Sequence, residues 1–218
     1  MGSLEVIKTK THEEASLKLL SILSKEFHVN NNYSLGLSGG STPKFLYKEL
    51  AKKYGSLSNI TLWTIDERHI ETNNELSNQK MINSIFSNTN FKILSLEFFE
   101  DPKITAENYT NLVFSNIKKF NSAVLGVGDD GHIASLFPNT KALKCTVKSF
   151  IENEVNTLTK WRVTSTFALL KSIENIYILA TGENKKNILR EMNNNSELPI
   201  NKLIELREKT IILTDQTI

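Results

Sequence analysis

The chain carries a single cysteine, Cys145, among 218 residues. One thiol excludes an internal disulfide framework and a multi-cysteine zinc site, and it fits a reducing compartment. No apolar run approaches the roughly 20 residues that would cross a bilayer, and the N-terminus shows no basic-then-apolar signal pattern. Net charge is almost absent as well, +2 from 26 basic and 24 acidic residues. The basic residues are dispersed, so there is no electrostatic case for nucleic acid or an anionic membrane, and any affinity for anions must be local. Internal repeats and interdomain linkers are missing too. These absences lead to the expectation of a cytoplasmic protein, a monomer or small homo-oligomer, acting on small molecules.

What is present is ordinary globular composition, 39% hydrophobic and 23% charged, enough to bury the core of one compact domain over residues 1–218. Apolar runs at Glu5–Thr9, Tyr33–Leu37, Ile60–Ile65, Phe91–Leu96, Ala123–Val127, Asn175–Ala180 and Thr210–Leu213 read as strands. Helical spacing separates them: Thr11–Phe27 with Thr11 as N-cap, a helix after Pro43, another after Ser77, then Pro102–Phe120, Ser165–Ser172, a segment through Ile188 and Met192, and Pro199–Leu206. Asn30 to Asn32 and Asn193 to Ser196 read as polar turns, and Trp161–Thr164 as a short strand. The stretch 144–160 reads as an extended excursion from the main sheet. Strands alternating with helices predict an α/β fold, one doubly wound, mostly parallel, Rossmann-like sheet with helices on both faces.

Two turns stand out. Ser38-Gly39-Gly40-Ser41-Thr42-Pro43 joins a strand to a helix, with Thr42 suited to the N-cap and Pro43 to the first helical position. Backbone N–H groups, the helix dipole and two hydroxyls there form a phosphate cradle; the plainer alternative is a strand-to-helix turn without a ligand. It is neither a Walker loop nor the dinucleotide fingerprint. Residues 122–138 run from a buried strand into a turn holding Gly126, Gly128 and Gly131 with Asp129, Asp130 and His132, and close at Pro138. Asp-Asp-Gly is also common turn chemistry. Polar clusters at 38–42, 66–69, 128–132 and 181–185 all end strands, and in a parallel sheet such ends share one edge, where ligands bind.

The motifs Ser38–Pro43, Asp66-Glu67-Arg68, Ser77-Asn78 and Gly126–Pro138, with looser matches at Arg162-Val163-Thr164 and Gly182–Lys185, resemble the 6-phosphogluconolactonases, in the group that includes glucosamine-6-phosphate deaminases. Arg68 and the Ala134-Ser135-Leu136-Phe137-Pro138 ending are similar to the lactonases, whereas deaminases place an aromatic residue and an Ala-Phe-Asn-Glu-Pro type of sequence there. The chain departs from the pattern at Asn156–Trp161, where the family carries a Lys-Pro-rich segment. The resemblance implies hydrolysis of a sugar phosphate lactone without cofactor or metal. In that scheme His132 is a general base that activates water, an imidazole being suited to proton transfer near neutrality. Asp130 orients it, and Arg68 with the glycine turn (Gly128, Gly131) holds the developing oxyanion. Ser38, Gly39, Gly40, Ser41 and Thr42 hold the phosphate with Arg162 and Lys185. Asp66 and Glu67 support the site, Glu67 by an ion pair to Arg68. His12 and His28 are read as solvated, His69 as a bystander. The alternatives are a deaminase or isomerase of amino-sugar phosphates, and a sugar-phosphate-binding regulator without catalysis.

Overall fold

The computed structural model describes residues 2–27, 32–192 and 194–217. His28, Asn30, Asn31 and Asn193 lie outside the described residues. In chain order the elements are β1 (Ser3–Lys8), α1 (His12–Phe27), β2 (Tyr33–Leu37), α2 (Lys44–Tyr54), β3 (Ile60–Thr64), β4 (Asp66–Arg68), α3 (Asn78–Phe86), β5 (Lys92–Leu94), α4 (Pro102–Asn116), β6 (Ser122–Leu125), β7 (Phe150–Glu154), β8 (Trp161–Ser165), α5 (Phe167–Lys171), β9 (Asn175–Leu179), α6 (Lys186–Glu191), α7 (Pro199–Leu206) and β10 (Lys209–Thr214). Seven strands form one sheet in the order β1-β10-β9-β6-β2-β3-β5, and every neighbouring pair is parallel. The predicted fold class is the one found.

Side-chain alternation explains the layering. On β6, Ala123 and Leu125 enter one buried cluster with α4 to α7, while Val124 enters the other with α1 to α3. On β9, Ile176 and Ile178 join the first, and Tyr177 and Leu179 the second. A strand buried on both faces reads as a continuous apolar run, as these do. Strand order reverses between β2 and β6, so the loops after them, 38–42 and 126–132, flank the crevice where open α/β sheets hold ligands.

A second sheet of three antiparallel strands, β4-β8-β7, stands over that crevice. It starts where β3 leaves the main sheet: Ile65 donates its N–H to the Leu37 carbonyl (2.9 Å), and its own carbonyl accepts from the Ser165 N–H (3.0 Å). The 144–160 stretch supplies β7 after a 3-10 turn at Lys141–Lys144, so only its middle, Phe150–Glu154, is a strand.

Several boundaries shift. The fourth helix stops at Asn116, before the Phe120 of the sequence reading. The fifth strand shortens to Lys92–Leu94. Helix α2 starts at Lys44, with Pro43 as cap residue and no side-chain cap. Thr11 does cap α1, its hydroxyl accepting from the Glu14 N–H at 3.2 Å. Ser77 caps α3, accepting from the Lys80 N–H at 3.0 Å.

Arg207 fastens the far end of the molecule. It is 6% exposed, and its guanidinium donates to the carbonyls of Leu170 (2.8 Å), Ile173 (2.7 Å) and Glu174 (3.0 Å), closing the C-terminus of α5. Burial holds its pKa below the ordinary guanidinium value. Replacing it with methionine fills the space but removes all of these charge-assisted hydrogen bonds. Arg207→Met is expected to cost about 3 kcal/mol, seen as a melting temperature lower by about 6–12 °C. An unchanged melting curve would mean that water satisfies the carbonyls.

Candidate active site

The cavity at the C-terminal edge of the main sheet has a volume of about 370 Å³. Ser38, Gly39, Gly40, Ser41 and Thr42 line one wall, Gly128 and His132 another, and Asp66, Arg68, Arg162 and Lys185 complete it. Of the residues expected at the site, Asp130, Glu67 and Gly131 do not reach the cavity. Each acts from behind.

Asp130 stands behind His132. Its Oδ1 lies 2.5 Å from His132 Nδ1 and also accepts the His132 N–H at 3.1 Å. Burial raises the Asp130 pKa, but its hydrogen bonds and attraction to His132 outweigh this and hold it below the ordinary carboxylate value. An ionised carboxylate only accepts, so Nδ1 carries the proton, leaving Nε2 as the free acceptor. The imidazole stacks on Phe137, centroids 4.0 Å apart. Gly128 makes room: a Cβ there would overlap the His132 ring and the Asp130 carboxylate. Gly131, at φ +76°, turns the chain between them and accepts the Ile200 N–H through its carbonyl.

Glu67 is 1% exposed and does not pair with the Arg68 guanidinium, correcting the ion pair expected from sequence. Its carboxylate accepts the N–H groups of Arg68 (2.7 Å), Asn78 (2.8 Å) and Gln79 (2.6 Å) and the Ser77 hydroxyl (2.9 Å). Burial pushes its pKa up against those four bonds. It therefore welds β4 to the N-terminus of α3, where negative charge is favoured. Arg68 instead donates to the Leu76 carbonyl at 2.6 Å.

Arg68 lies directly opposite Arg162 in the β4–β8 register. Among the described residues neither guanidinium forms an ion pair. Arg162 is 3% exposed, and burial and then the Arg68 charge hold its pKa below the usual value. One of its nitrogens donates to the Thr157 carbonyl at 3.2 Å, but its Nε, like the buried Ser38 hydroxyl, has no partner. Like charges placed opposite one another repel, and unpartnered buried donors are costly. An anion held by Arg162 would relieve both penalties.

Sequence reasoning did not single out Asn78 and Ser135, which also line the cavity. Asn78 Nδ2 donates to the Asp66 carbonyl at 2.9 Å, and its amide occupies the space that a side chain on Gly39 would need. Ser135 donates to Asp66 Oδ2 at 2.6 Å. Both lie within motifs already quoted, but their partners come from β4, a strand the sequence does not show. Thr42, expected to cap α2, lines the cavity instead. His69 bonds the Phe99 carbonyl at 2.8 Å, away from the cavity. His12 is not simply solvated, since its Nδ1 meets the Thr181 hydroxyl at 2.7 Å.

With this geometry in place, a family model described as glucosamine-6-phosphate isomerases/6-phosphogluconolactonase matches residues 8–212. The chain belongs to this family. A 6-phosphogluconolactonase of Chlamydia trachomatis is 31% identical over 79% of the chain and 70% of its own length. One of Thermotoga maritima is 29% identical over 95% of the chain and 90% of its own length. The fold also matches the crystal structure of a 6-phosphogluconolactonase from Shewanella baltica, TM-score 0.84 at 22% identity, covering 100% of this chain and 98% of that one. None of the described helices is long and apolar enough to cross a membrane.

The family site in this chain thus hangs on one glycine. Gly128→Ala is expected to separate His132 from Asp130. In proton NMR, the downfield Nδ1–H resonance of the wild type should vanish while the dispersed amide spectrum persists. A retained resonance would show that the turn absorbs the methyl group.

Proposed function

We propose that the chain is a lactonase that hydrolyses 6-phospho-D-glucono-1,5-lactone to 6-phospho-D-gluconate, a step of the oxidative pentose phosphate pathway in the cytoplasm. The observation that carries this reading is the Arg68–Arg162 pair, two guanidiniums in register with no ion pair and no partner for the Arg162 Nε among the described residues, in one cavity with His132, which Asp130 backs from behind. Such a cavity suits a neutral ester carrying a dianion. The phosphate sits among Arg162, Lys185 and the Ser38–Thr42 loop, where Arg offers a fork and Lys a point charge. That anchor fixes the lactone carbonyl near His132, and orientation of this kind supplies much of a rate enhancement.

In the reaction, His132 Nε2 takes a proton from water as its oxygen attacks the carbonyl carbon. Asp130 stabilises the imidazolium and keeps the tautomer. Arg68 and backbone N–H groups of the glycine turn stabilise the oxyanion. Collapse breaks the bond to the ring oxygen, which takes the proton back from His132. The product is an open-chain acid, and no cofactor enters the scheme.

The test is hydrolysis of freshly prepared 6-phosphogluconolactone at mildly acidic to neutral pH, read against spontaneous opening. Wild type should far exceed the background, and His132→Ala should lose at least about 100-fold in kcat. If neither exceeds background, the lactonase reading fails; if both are fast, His132 is not the base. Arg162→Met should raise KM for the phosphorylated lactone by about tenfold or more and leave unphosphorylated glucono-1,5-lactone unaffected. Equal effects on both substrates would remove Arg162 from the phosphate site.

A further inference from the structure

Each cation at the cavity is held by an internal acceptor. Arg68 donates to the Leu76 carbonyl and Arg162 to the Thr157 carbonyl, but Lys185 Nζ meets a charge, the Asp129 carboxylate, at 2.6 Å. The pair joins two loops, one after β6 and one after β9. Both residues line the cavity. The Lys185 side chain is 16% exposed and that of Asp129 72%. Among the described residues Asp129 has no other hydrogen bond or ion pair, so nothing but Lys185 fixes it.

We propose that Asp129 is a competing counter-ion for Lys185, a specificity-tuning residue that a substrate phosphate displaces and that returns as the phosphorylated product leaves. The inference rests on the reading that the phosphate contacts Lys185. A dianion on Lys185 takes over the interaction that Asp129 makes in the free protein. An exposed carboxylate regains water at little cost, so displacement is cheap but not free. The loss falls on binding, and it is the same for substrate and product because both carry the phosphate. The new carboxylate of the product lies at the other end of the molecule and is not affected. Asp129 thereby weakens retention of 6-phosphogluconate. It acts through Lys185 and touches no reacting atom.

The probe is competitive inhibition of lactone hydrolysis by 6-phosphogluconate and by gluconate, measured for wild type, Asp129→Asn, Asp129→Glu, Lys185→Ala and the Asp129→Asn, Lys185→Ala double variant. Asp129→Asn should lower the inhibition constant of 6-phosphogluconate about threefold, as befits a largely exposed pair, with that of gluconate unchanged. Asp129→Glu should stay close to wild type. In the Lys185→Ala background, Asp129→Asn should have no effect. An inhibition constant unchanged or raised by Asp129→Asn overturns the inference, since Asp129 would then hold Lys185 in place. An equal drop with and without Lys185 overturns it too, because the effect would be a general field. If Lys185→Ala alone leaves 6-phosphogluconate inhibition unchanged, it is instead the placement of the phosphate on Lys185 that fails.

Discussion

Arg68 and Arg162 face each other across an antiparallel pair of strands, and the surrounding structure is arranged to keep them there. Two guanidiniums in direct register repel, so they persist only because their backbones are fixed from outside. Glu67 supplies one fixation by binding β4 to the N-terminus of α3 through four donors. Asp66 supplies another through Ser135, and Asn153 on β7 holds the Ser135 carbonyl at 2.8 Å. The small sheet is a clamp that places positive charge over the crevice of the main sheet.

The His132–Asp130 pair comes from the opposite direction. Strand β6 ends in the glycine turn, and Gly128 lets His132 and Asp130 meet in the space a side chain would fill. The main sheet contributes His132, Asp130 and the Ser38–Thr42 loop, the small sheet the guanidiniums. Function belongs to the junction of the two sheets rather than to either.

The main sheet was legible because its strands are buried on both faces and break off sharply at polar clusters; the four clusters predicted to converge do so. The small sheet was legible only in part: Trp161–Thr164 read as a strand and 144–160 as an excursion, but not their pairing with β4. Strand β4 has three residues, too few for any period, and Phe150–Glu154 alternates without clear polarity because one face packs on Phe150 neighbours such as Tyr109 and Trp63. Its partners are remote in sequence. For the same reason Glu67 read as an ion-pair partner of its neighbour Arg68, when three of its four donors lie ten to twelve residues further on and the fourth is the Arg68 backbone N–H. Thr42 followed capping rules on paper, but in the structure it belongs to the cavity wall. The His132–Asp130 contact, by contrast, lies within three residues and could be read directly.

Isothermal titration of 6-phosphogluconate and of gluconate into the wild-type protein at low ionic strength tests the central claim, that the cations of the cavity hold a phosphate. The account predicts that 6-phosphogluconate binds at least about tenfold more tightly than gluconate and weakens as salt is raised. Equal affinity for the two compounds would contradict it, because the paired arginines would then have some other reason to exist.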